Sequence, residues 1–235
     1  LTGYDGERTP IQAISFLKNI NEKIPELKQA TMVQYHHEEF FRIENEKLLL
    51  KQVMFSDSQF LAMFKIHMLG GDKNPLSGTN ALVISKSEAE KLFPGQDAIG
   101  KMLKYRGQYN FEVRGVFEDA PVTASYRPNI IMNIESKKVL NQFEYESPYN
   151  SSTAGYYLLP AGSNLNPVRN KVREQAKIFY NIKNYNGDFQ LQPLSDIHLK
   201  SADTTWDVIE RSDIKMVNTF IIISILIMLV VTFNY

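Results

Sequence analysis

Residues 216–235, at the carboxyl end, constrain the fold of this chain more than any other stretch. They carry no charged side chain, and 220–231 is apolar except for Ser224. A helix needs about 20 mostly apolar residues to cross a bilayer, whereas the surface helix of a soluble protein keeps a polar face. The stretch therefore predicts a transmembrane helix over 216–235, with a buried core element as the alternative. A secretory signal is excluded because signals lie at the amino end.

Residues 1–215 are polar, evenly charged and rich in turn residues, which predicts a water-soluble domain that leads directly into the membrane helix. The 26 basic side chains balance 26 acidic ones, so no basic surplus points to nucleic acid. The absence of cysteine excludes disulfides, thiolate zinc sites and a cysteine nucleophile. The chain opens at Leu1 without a methionine or an apolar span, which predicts a piece of a longer protein with a truncated final helix.

Helix and strand signals alternate along the soluble part. Thr9 and Pro10 predict the start of a helix that Pro25 ends, because threonine caps helices and proline suits the first helical position. Further helices are predicted from Ser56 or Asp57 to Phe64, over 86–92, over about 136–143 and from Pro167 onward. Strands are predicted over 30–35, 40–43, 48–55, 81–84, 101–105, 111–117, 129–134, 155–159 and 189–199. Several hairpins and short helices favour an α+β fold, with mixed sheets and flanking helices.

Turn and cap signals predict several boundaries between these elements. Ser85 and Glu88 have the spacing of a capping box, which predicts the start of the helix at 86. Phe111, Val113, Gly115 and Phe117 alternate, which predicts that they share one buried face of a strand. Turns or loops are predicted at 44–47, 70–71, 93–95, 106–108, 144–152 and 186–187, and a linker is predicted over 200–215.

One cluster of residues that often bind metals follows the first predicted strand; it consists of His36, His37, Glu38 and Glu39. Metal ligands must converge on one point, and adjacent strand residues point to opposite faces, so at most alternate members could share an ion. A polar strand end followed by a turn explains the cluster without a metal, and it is the interpretation we favour.

No other motif indicates catalysis. Ser85, Lys86 and Ser87 place hydroxyls beside an amine, but the spacing is not Ser-x-x-Lys and the helix cap explains Ser85. His67 and His198 have no neighbouring ligand pattern, and the sequon at 150–152 belongs to a kind that is common by chance. The sequence contains no phosphate-binding loop, no G-x-S-x-G and no H-E-x-x-H. We therefore predict no catalytic, cofactor-binding or metal-binding residue, no cofactor and no enzymatic activity.

Five runs resemble, in the same order, the MacB-type periplasmic core domain of ABC transporter permeases of the MacB/FtsX/LolC kind. They are 81–85 (Ala-Leu-Val-Ile-Ser), 89–95 (Ala-Glu-Lys-Leu-Phe-Pro-Gly), 98–101 (Ala-Ile-Gly-Lys), 111–121 (Phe-Glu-Val-Arg-Gly-Val-Phe-Glu-Asp-Ala-Pro) and 191–199 (Leu-Gln-Pro-Leu-Ser-Asp-Ile-His-Leu). In such proteins the second membrane helix follows the last run, which is where the apolar stretch lies in this chain.

The resemblance implies a domain between the first and second membrane helices of a permease, on the periplasmic side of the bacterial inner membrane. It implies a porter-like part at about 1–55 and 128–200 and a smaller inserted subdomain at about 56–127. The first membrane helix, and part of the first strand, are then expected to precede Leu1. The implied partners are a cytoplasmic ABC ATPase subunit, a second permease copy and the membrane. A periplasmic or outer-membrane partner is compatible with the resemblance, and no binding of nucleic acid is expected.

The implied function is to couple cytoplasmic ATP hydrolysis to the movement or extrusion of a substrate outside the inner membrane. A membrane-tethered extracytoplasmic sensor or ligand-binding module is the alternative, and a membrane-anchored enzyme is the third hypothesis. We carry over no functional residues, because the matching runs resemble fold determinants. Gly100 and Gly115 are expected to serve turns and close packing.

Overall fold

The computed structural model describes residues 9–27, 29–44, 46–181, 189, 191–200 and 214–234. The strands are β1 Ile11–Ala13, β2 Ala30–Ile43, β3 Glu46–Ser56, β4 Met68–Gly71, β5 Ala81–Ser85, β6 Met102–Tyr105, β7 Tyr109–Phe117, β8 Ile130–Asn133 and β9 Ser151–Tyr157. The α-helices are α1 Ile14–Lys23, α2 Ser58–Met63, α3 Lys86–Leu92, α4 Lys137–Leu140, α5 Gln142–Glu146, α6 Leu165–Phe179, α7 Leu194–Lys200 and α8 Ile214–Asn234. The predicted α+β class, a mixed sheet with flanking helices, is confirmed.

The described strands form one nine-stranded sheet in the order β1-β9-β2-β3-β8-β5-β7-β4, and β6 pairs with both β2 and β7. The pairings β2-β3-β8-β5-β7-β6 therefore return to β2 and form a closed circuit, which we call the strand ring. Apolar side chains from all six strands of the ring meet in one core. Strands β1 and β9 extend from β2 outside the ring.

The long hairpin of β2 and β3 is confirmed, but the structure shows one strand over Ala30–Ile43 where two shorter ones were predicted. The inward face of this hairpin changes part-way along. In β3, Val53 and Phe55 face the larger core, and Leu50, an odd number of residues away from each, faces it too. Gln52, with a φ of 55°, lies at the switch. A left-handed residue breaks the regular alternation of a strand. Odd-numbered residues of β3 therefore face the larger core after Gln52, and even-numbered Leu50 faces it before Gln52.

The prediction that four alternating residues of 111–117 share one face is wrong. All four are buried, but the register shifts between Leu82 and Val83 of the neighbouring β5. The resulting bulge at Arg114 turns the side chains that follow it to the opposite face of the sheet. Phe111 and Val113 consequently lie in the larger core, and Phe117 lies in the smaller one.

Gly70 and Gly71, which were predicted to form a turn, belong to strand β4. A Cβ on Gly71 would lie 2.4 Å from the Cα of Gly115 in β7, and a Cβ on Gly115 would lie 2.8 Å from Met68 Cε. The two glycines allow β4 and β7 to approach closely, which confirms the packing role expected for Gly115. Gly100 has a φ of 81°, as expected for a turn.

Two helices begin elsewhere than predicted. The first begins at Ile14 instead of Pro10, because 11–13 pairs with β9 as strand β1. Helix α6 begins at Leu165, where the side chain of Asn164 accepts a hydrogen bond from the Asn166 N–H at 3.0 Å.

The segment between β8 and β9 is more helical than predicted. Asn141 divides the predicted helix into α4 and α5, and its side chain caps α5 by accepting from the Glu144 N–H at 3.1 Å. The predicted loop at 144–152 is thus partly helix α5, and its end already belongs to β9.

The strand predicted over 189–199 is wrong, because 194–200 is helix α7. This helix begins after Pro193, whose carbonyl accepts a hydrogen bond from Asp196 at 3.0 Å. The predicted turn at 186–187 and most of the predicted linker lie outside the described residues.

Buried apolar side chains form two cores. The larger core combines the interior of the strand ring with residues of α1, α6 and Phe189. The smaller core lies on the outer side of the sheet, where Val33, Met54 and Val83 pack against Phe60 of α2 and Tyr126.

Helix α8 is long and apolar enough to cross a membrane over Met216–Asn234, with a mean hydropathy of 2.6. The side chains from Met216 to Asn234 are exposed. The hydroxyls of Ser224 and Thr232 each donate a 2.8 Å hydrogen bond to the carbonyl four residues earlier, at Phe220 and Met228. A span must satisfy its polar groups internally in this way, because the hydrocarbon offers no hydrogen-bond partner.

Candidate functional site

The polypeptide enters and leaves the described domain at the same cavity. Thr9 and Pro10, at the amino-terminal side, line it together with Pro193, Leu194 and Ile197. Helices α1 and α6 and strand β9 supply its other walls, and its volume is about 660 Å³. Small-molecule sites typically measure about 300–1,000 Å³ and are mostly apolar. This cavity is therefore the first candidate site.

An aromatic cluster, formed by Phe16, Phe179, Tyr180 and Phe189, connects the residues after α6 to the first helix. The ring centroid of Phe16 lies 5.4 Å from Phe179, 5.2 Å from Tyr180 and 5.5 Å from Phe189. Phe16 is inaccessible to solvent because α1 turns this face to the larger core. Aromatic pairs at such distances add about 0.5–1.5 kcal/mol each to the gain from burial. The cluster thus fixes Phe189 on α1 and α6.

We call residues 189 and 191–200 the exit segment, because they precede the candidate membrane span. Phe189 and Leu191 pack on the larger core, whereas Ile197 packs on the smaller one. The segment therefore contacts both cores. A displacement of it would disturb both, since protein interiors are close-packed.

Two polar atoms in the cavity walls lack partners. The Tyr157 hydroxyl and Arg169 Nε are buried and have no hydrogen-bond partner among the residues that the structure describes. Burial raises the pKa of Tyr157, so its hydroxyl stays protonated and able to donate. Gly155 leaves room for these groups, because a Cβ there would lie 2.8 Å from both Leu17 Cδ2 and the Tyr157 hydroxyl oxygen. The cavity is therefore mostly apolar, and two unpartnered donors are buried within its walls.

A second candidate is a set of charges buried against the strand ring. Arg106 donates to both carboxylate oxygens of Glu39, at 2.9 and 3.1 Å, and His36 Nδ1 lies 2.9 Å from the same carboxylate. Burial raises the pKa of Glu39, but the hydrogen bonds from His36 and Arg106 outweigh it and hold the pKa at about 2. Glu39 is therefore ionised at neutral pH and fastens the β6–β7 turn to β2.

A buried ion pair lies beside this set. Lys137 is only 4% exposed, and its Nζ lies 3.3 Å from Glu144 Oε2 and 4.2 Å from the ring centroid of Phe55. Burial lowers the pKa of Lys137, while Glu144 opposes that shift. Glu144 also accepts hydrogen bonds from Gln34 and, at 3.1 Å, from Ser152. One carboxylate thus joins β2, α4, α5 and β9.

Glu135 links the first helix to the segment before α4. It lies 2.8 Å from Lys18 of α1 and 2.6 Å from Lys138, and the Tyr145 hydroxyl donates to it at 2.8 Å. Burial raises the pKa of Glu135, but these hydrogen bonds outweigh it and hold the pKa at about 2. Burial, together with Glu135, raises the pKa of Tyr145 to about 12. The α1 helix is therefore tied to α4 and α5 by charge as well as by apolar packing.

The structure places the predicted His-Glu cluster in an unexpected way. His36 and Glu39 come together although they are three residues apart, so the expectation that only alternate members could converge is wrong. The alternation of β2 breaks where it faces Gln52, and His37 and Glu38 remain exposed. Among the described residues, no group of three His, Asp or Glu side chains converges as a metal site would require.

The remaining sequence candidates have structural roles or lie apart. The Ser85 hydroxyl accepts from the Glu88 N–H at 3.3 Å, as in a cap, but Glu88 pairs with Lys91 at 3.0 Å and the Ser85 N–H donates to Asn129. Only half of the capping box therefore forms. His67 lies 3.2 Å from Glu118 on the surface, and the side chain of His198 lies outside the description.

Sequence patterns did not reveal Lys137, Glu144, Tyr157 or Arg169. Lysine and glutamate are usually exposed, so a single sequence gives no signal that a particular pair is buried. The Tyr157 and Arg169 positions are defined by the packing of β9 against α6, which is a tertiary contact.

The family model described as the MacB-like periplasmic core domain matches residues 3–175. The chain belongs to this family. Its members are domains of ABC transporter permeases, so the predicted resemblance is confirmed. Four of the five runs lie within the matched residues, and the run at 191–199 lies beyond them.

Solved structures show the same fold. A domain assigned to a permease of Porphyromonas gingivalis is 21% identical over 73% of this chain and 75% of its own, with a TM-score of 0.60. The periplasmic region of MacB from Actinobacillus actinomycetemcomitans is 13% identical over 73% and 76%, with a TM-score of 0.54. The extracellular domain of the noncanonic ABC-type transporter YknZ from Gram-positive bacteria is 16% identical over 73% and 86%, with a TM-score of 0.54. No curated protein sequence matches this chain.

This MacB-like domain is thus the periplasmic domain of an ABC-type transporter permease, and its role belongs to transport. Its cavity lies where the chain runs toward the candidate membrane span, and its charged sets connect the strand ring to the helices.

Proposed function

We propose that this domain couples ATP hydrolysis by a cytoplasmic ABC ATPase to the movement or extrusion of a substrate outside the bacterial inner membrane. In this proposal residues 1–215 lie on the periplasmic side and α8 crosses the inner membrane. Two permease copies act together with the ATPase, and a periplasmic or outer-membrane protein receives the substrate. The domain transmits motion and performs no catalysis.

The observation that carries this proposal is the convergence of both ends of the domain. Pro10 and the exit segment line one cavity, and Phe189 shares the aromatic cluster with α1. A displacement of either end must repack α1 and α6, because close-packed interiors do not deform continuously. This arrangement favours a domain that converts motion at its ends into motion of the strand ring.

We also propose that the domain consists of a porter-like part, at about 1–55 and 128–200, and an inserted subdomain, at about 56–127. The parallel pairing of β3 with β8 supports this division, because it joins the two separated stretches of the porter-like part. The pairings β5–β8 and β2–β6 then connect the insert to it on both sides.

The test uses the full-length permease, purified with its ATPase in nanodiscs. The sequence given contains no cysteine, so spin labels can be placed at chosen residues of this domain. One label replaces Leu194 in α7 and the other replaces Lys47 near the tip of the hairpin; both side chains are exposed. We expect the distance between them to change when ATP is added, as measured by double electron–electron resonance.

The control pair keeps the label at Lys47 and places the second at Lys86 of α3, which is packed on the strand ring. This distance should stay constant. Failure of any ATPase to co-purify, or identical distances for the Leu194 pair with and without ATP, would contradict the proposal.

The cavity supports a ligand-binding module as a second candidate function. Its apolar walls, with the Arg169 side chain among the lining residues, suit an amphiphile with an anionic head. A fluorescent fatty acid tests this candidate. Saturable binding that weakens in Arg169→Met, but not in the exposed control Lys73→Met, would favour it, and equal binding to both variants would reject it.

A further inference from the structure

A row of three cations crosses the outer face of the strand ring. Arg42 of β2 lies directly opposite Lys47 of β3 on one side and Lys104 of β6 on the other. All three are exposed, and none has an ion-pair partner among the described residues. Like charges directly opposite each other on neighbouring strands destabilise a sheet. We call these residues the cationic row, and its arrangement opposes folding.

Exposed apolar side chains lie beside the cationic row. Phe40 is 47% exposed and pairs with Leu49 of β3, which is 42% exposed. Met102, two residues before Lys104, is 48% exposed. Nearer the Ala30 end of β2 the smaller core covers this side of the sheet, but the cover does not reach these residues. The face thus combines positive charge with uncovered apolar area, as protein interfaces do.

Protection of a sheet edge does not explain the row. Residues 46–51 of β3 have no strand on their outer side in the described structure, and lysine on an open edge discourages aggregation. That reason applies to Lys47. It does not apply to Arg42 or Lys104, because β2 and β6 have strand neighbours on both sides.

Two carboxylates near the face are already engaged, and two more, Glu44 and Glu46 at the tip of the hairpin, are exposed but form no ion pair with the row among the described residues. Glu38 lies 3.7 Å from Lys51, and Glu112 lies 3.1 Å from Arg114. Glu39 points to the other side of β2 and binds Arg106. Among the described residues, no carboxylate therefore lies at ion-pair distance from the three cations of the row.

The row lies far from the place where the chain enters and leaves the domain. Ala30 pairs with β9, which forms a wall of the cavity at that place. Arg42 lies further along the same strand, and at ~3.3 Å per residue the separation is about 40 Å. This position favours a protein outside the membrane over a lipid surface as the partner.

We propose that this face docks an acidic segment of a protein partner outside the membrane. Carboxylates of that segment pair with Arg42, Lys47 and Lys104, and its apolar side chains cover Phe40 and Leu49. The repulsion within the row is relieved on docking, so each cation contributes to binding more than an already paired one would. This proposal does not depend on coupling to ATP.

The test uses the full-length permease in nanodiscs of a zwitterionic lipid. The probe is a fluorescent synthetic peptide of alternating glutamate and leucine, and its binding is followed by anisotropy. Arg42→Gln/Lys47→Gln/Lys104→Gln should weaken binding about tenfold, which corresponds to about 1.4 kcal/mol. The matched control, Lys23→Gln/Lys73→Gln/Lys86→Gln, removes the same charge from exposed positions elsewhere and should leave the affinity unchanged.

Two further measurements make the proposal falsifiable. The row variant should show a melting temperature close to that of the parent, because the removed repulsion offsets the lost contact of Lys47 Nζ with the Phe40 ring, 4.2 Å away; a large drop would show that the three residues stabilise the fold. A peptide with lysine in place of glutamate should not bind. Equal weakening in both triple variants, or binding of phosphatidylglycerol vesicles through the row without binding of the acidic peptide, would overturn the proposal.

Discussion

The two ends of the β2–β3 hairpin differ in almost every physical property. At the Ala30 end both faces are buried under residues of α1 and α2, and β9 pairs with β2 along its edge. At the other end, β2 presents the buried charge of Glu39 on one face and the exposed cationic row on the opposite one. The continuous strand β2 therefore serves two purposes. Its first half anchors the domain where the chain enters and leaves, and its second half holds charge where a partner can reach it.

The largest effect should come from the apolar end. Phe16→Ala removes a fully buried ring and its contacts with three aromatic neighbours, so the free energy of unfolding should fall by about 4 kcal/mol. Phe143→Ala, at a residue that is 75% exposed, should change it by less than about 0.5 kcal/mol. Urea unfolding of the chain in detergent measures both. Equal losses would show that the aromatic cluster does not stabilise this end.

The charged end should be sensitive to the loss of a single partner. Lys137→Met leaves the Glu144 carboxylate without its cation, which should cost about 3 kcal/mol because an unpaired buried charge is unfavourable. Adding Glu144→Gln to the same chain should recover most of this loss. A double variant no more stable than Lys137→Met would show that the pair acts through packing and not through charge. Thermal unfolding of the two variants decides the question.

The same end should respond to acid. The pKa of Glu39 is about 2 in the folded state, below the ordinary value of 4.5, so its contribution is complete above pH 4.5 and is lost as the pH falls toward 2. On this basis the unfolding free energy should decrease over that interval by on the order of 2 kcal/mol through Glu39.

Glu39→Gln should flatten this dependence, while Glu90→Gln, at an exposed carboxylate, should leave it unchanged. Unfolding curves at several pH values give the comparison. An identical slope in both variants would assign the acid sensitivity to other groups, of which Glu135 is the first to test because its pKa is also about 2.

The smallest change in stability should come from Gln52, where the two halves of the β2–β3 hairpin meet. Gln52 has a φ of 55°, a conformation that glycine adopts without strain. Gln52→Gly should therefore stabilise the chain by about 0.5–1 kcal/mol, because relief of about 1–2 kcal/mol of left-handed strain exceeds the entropic cost of glycine, about 0.5–1 kcal/mol. The opposite change, Gly100→Ala at a φ of 81° with open space around it, should destabilise it for backbone reasons alone. A loss of stability in Gln52→Gly would show that the side chain, and not the backbone, holds the switch.

Part of the candidate site was predictable from the sequence. The helical spacing of Ile14, Leu17 and Ile20 indicated the buried face of α1, and the apolar positions of α6 were visible in the same way. The Glu39 cluster was noticed, but its partners were not, because Arg106 comes from a distant turn. The cavity and its two unpartnered donors were invisible, since they arise from the packing of segments far apart in the chain.

The amino-acid sequence was sufficient to assign the class of the protein: a mixed α+β domain, a carboxyl-terminal apolar helix and the ordered runs of the MacB-like family. These follow from local patterns of hydrophobicity, turns and caps, which each segment carries with it. Contacts between distant segments were needed to show that 11–13 is a strand, that 194–200 is a helix, and that bulged or left-handed residues move side chains to the other face. Strand pairing depends on residues distant in sequence, so a local pattern cannot fix it.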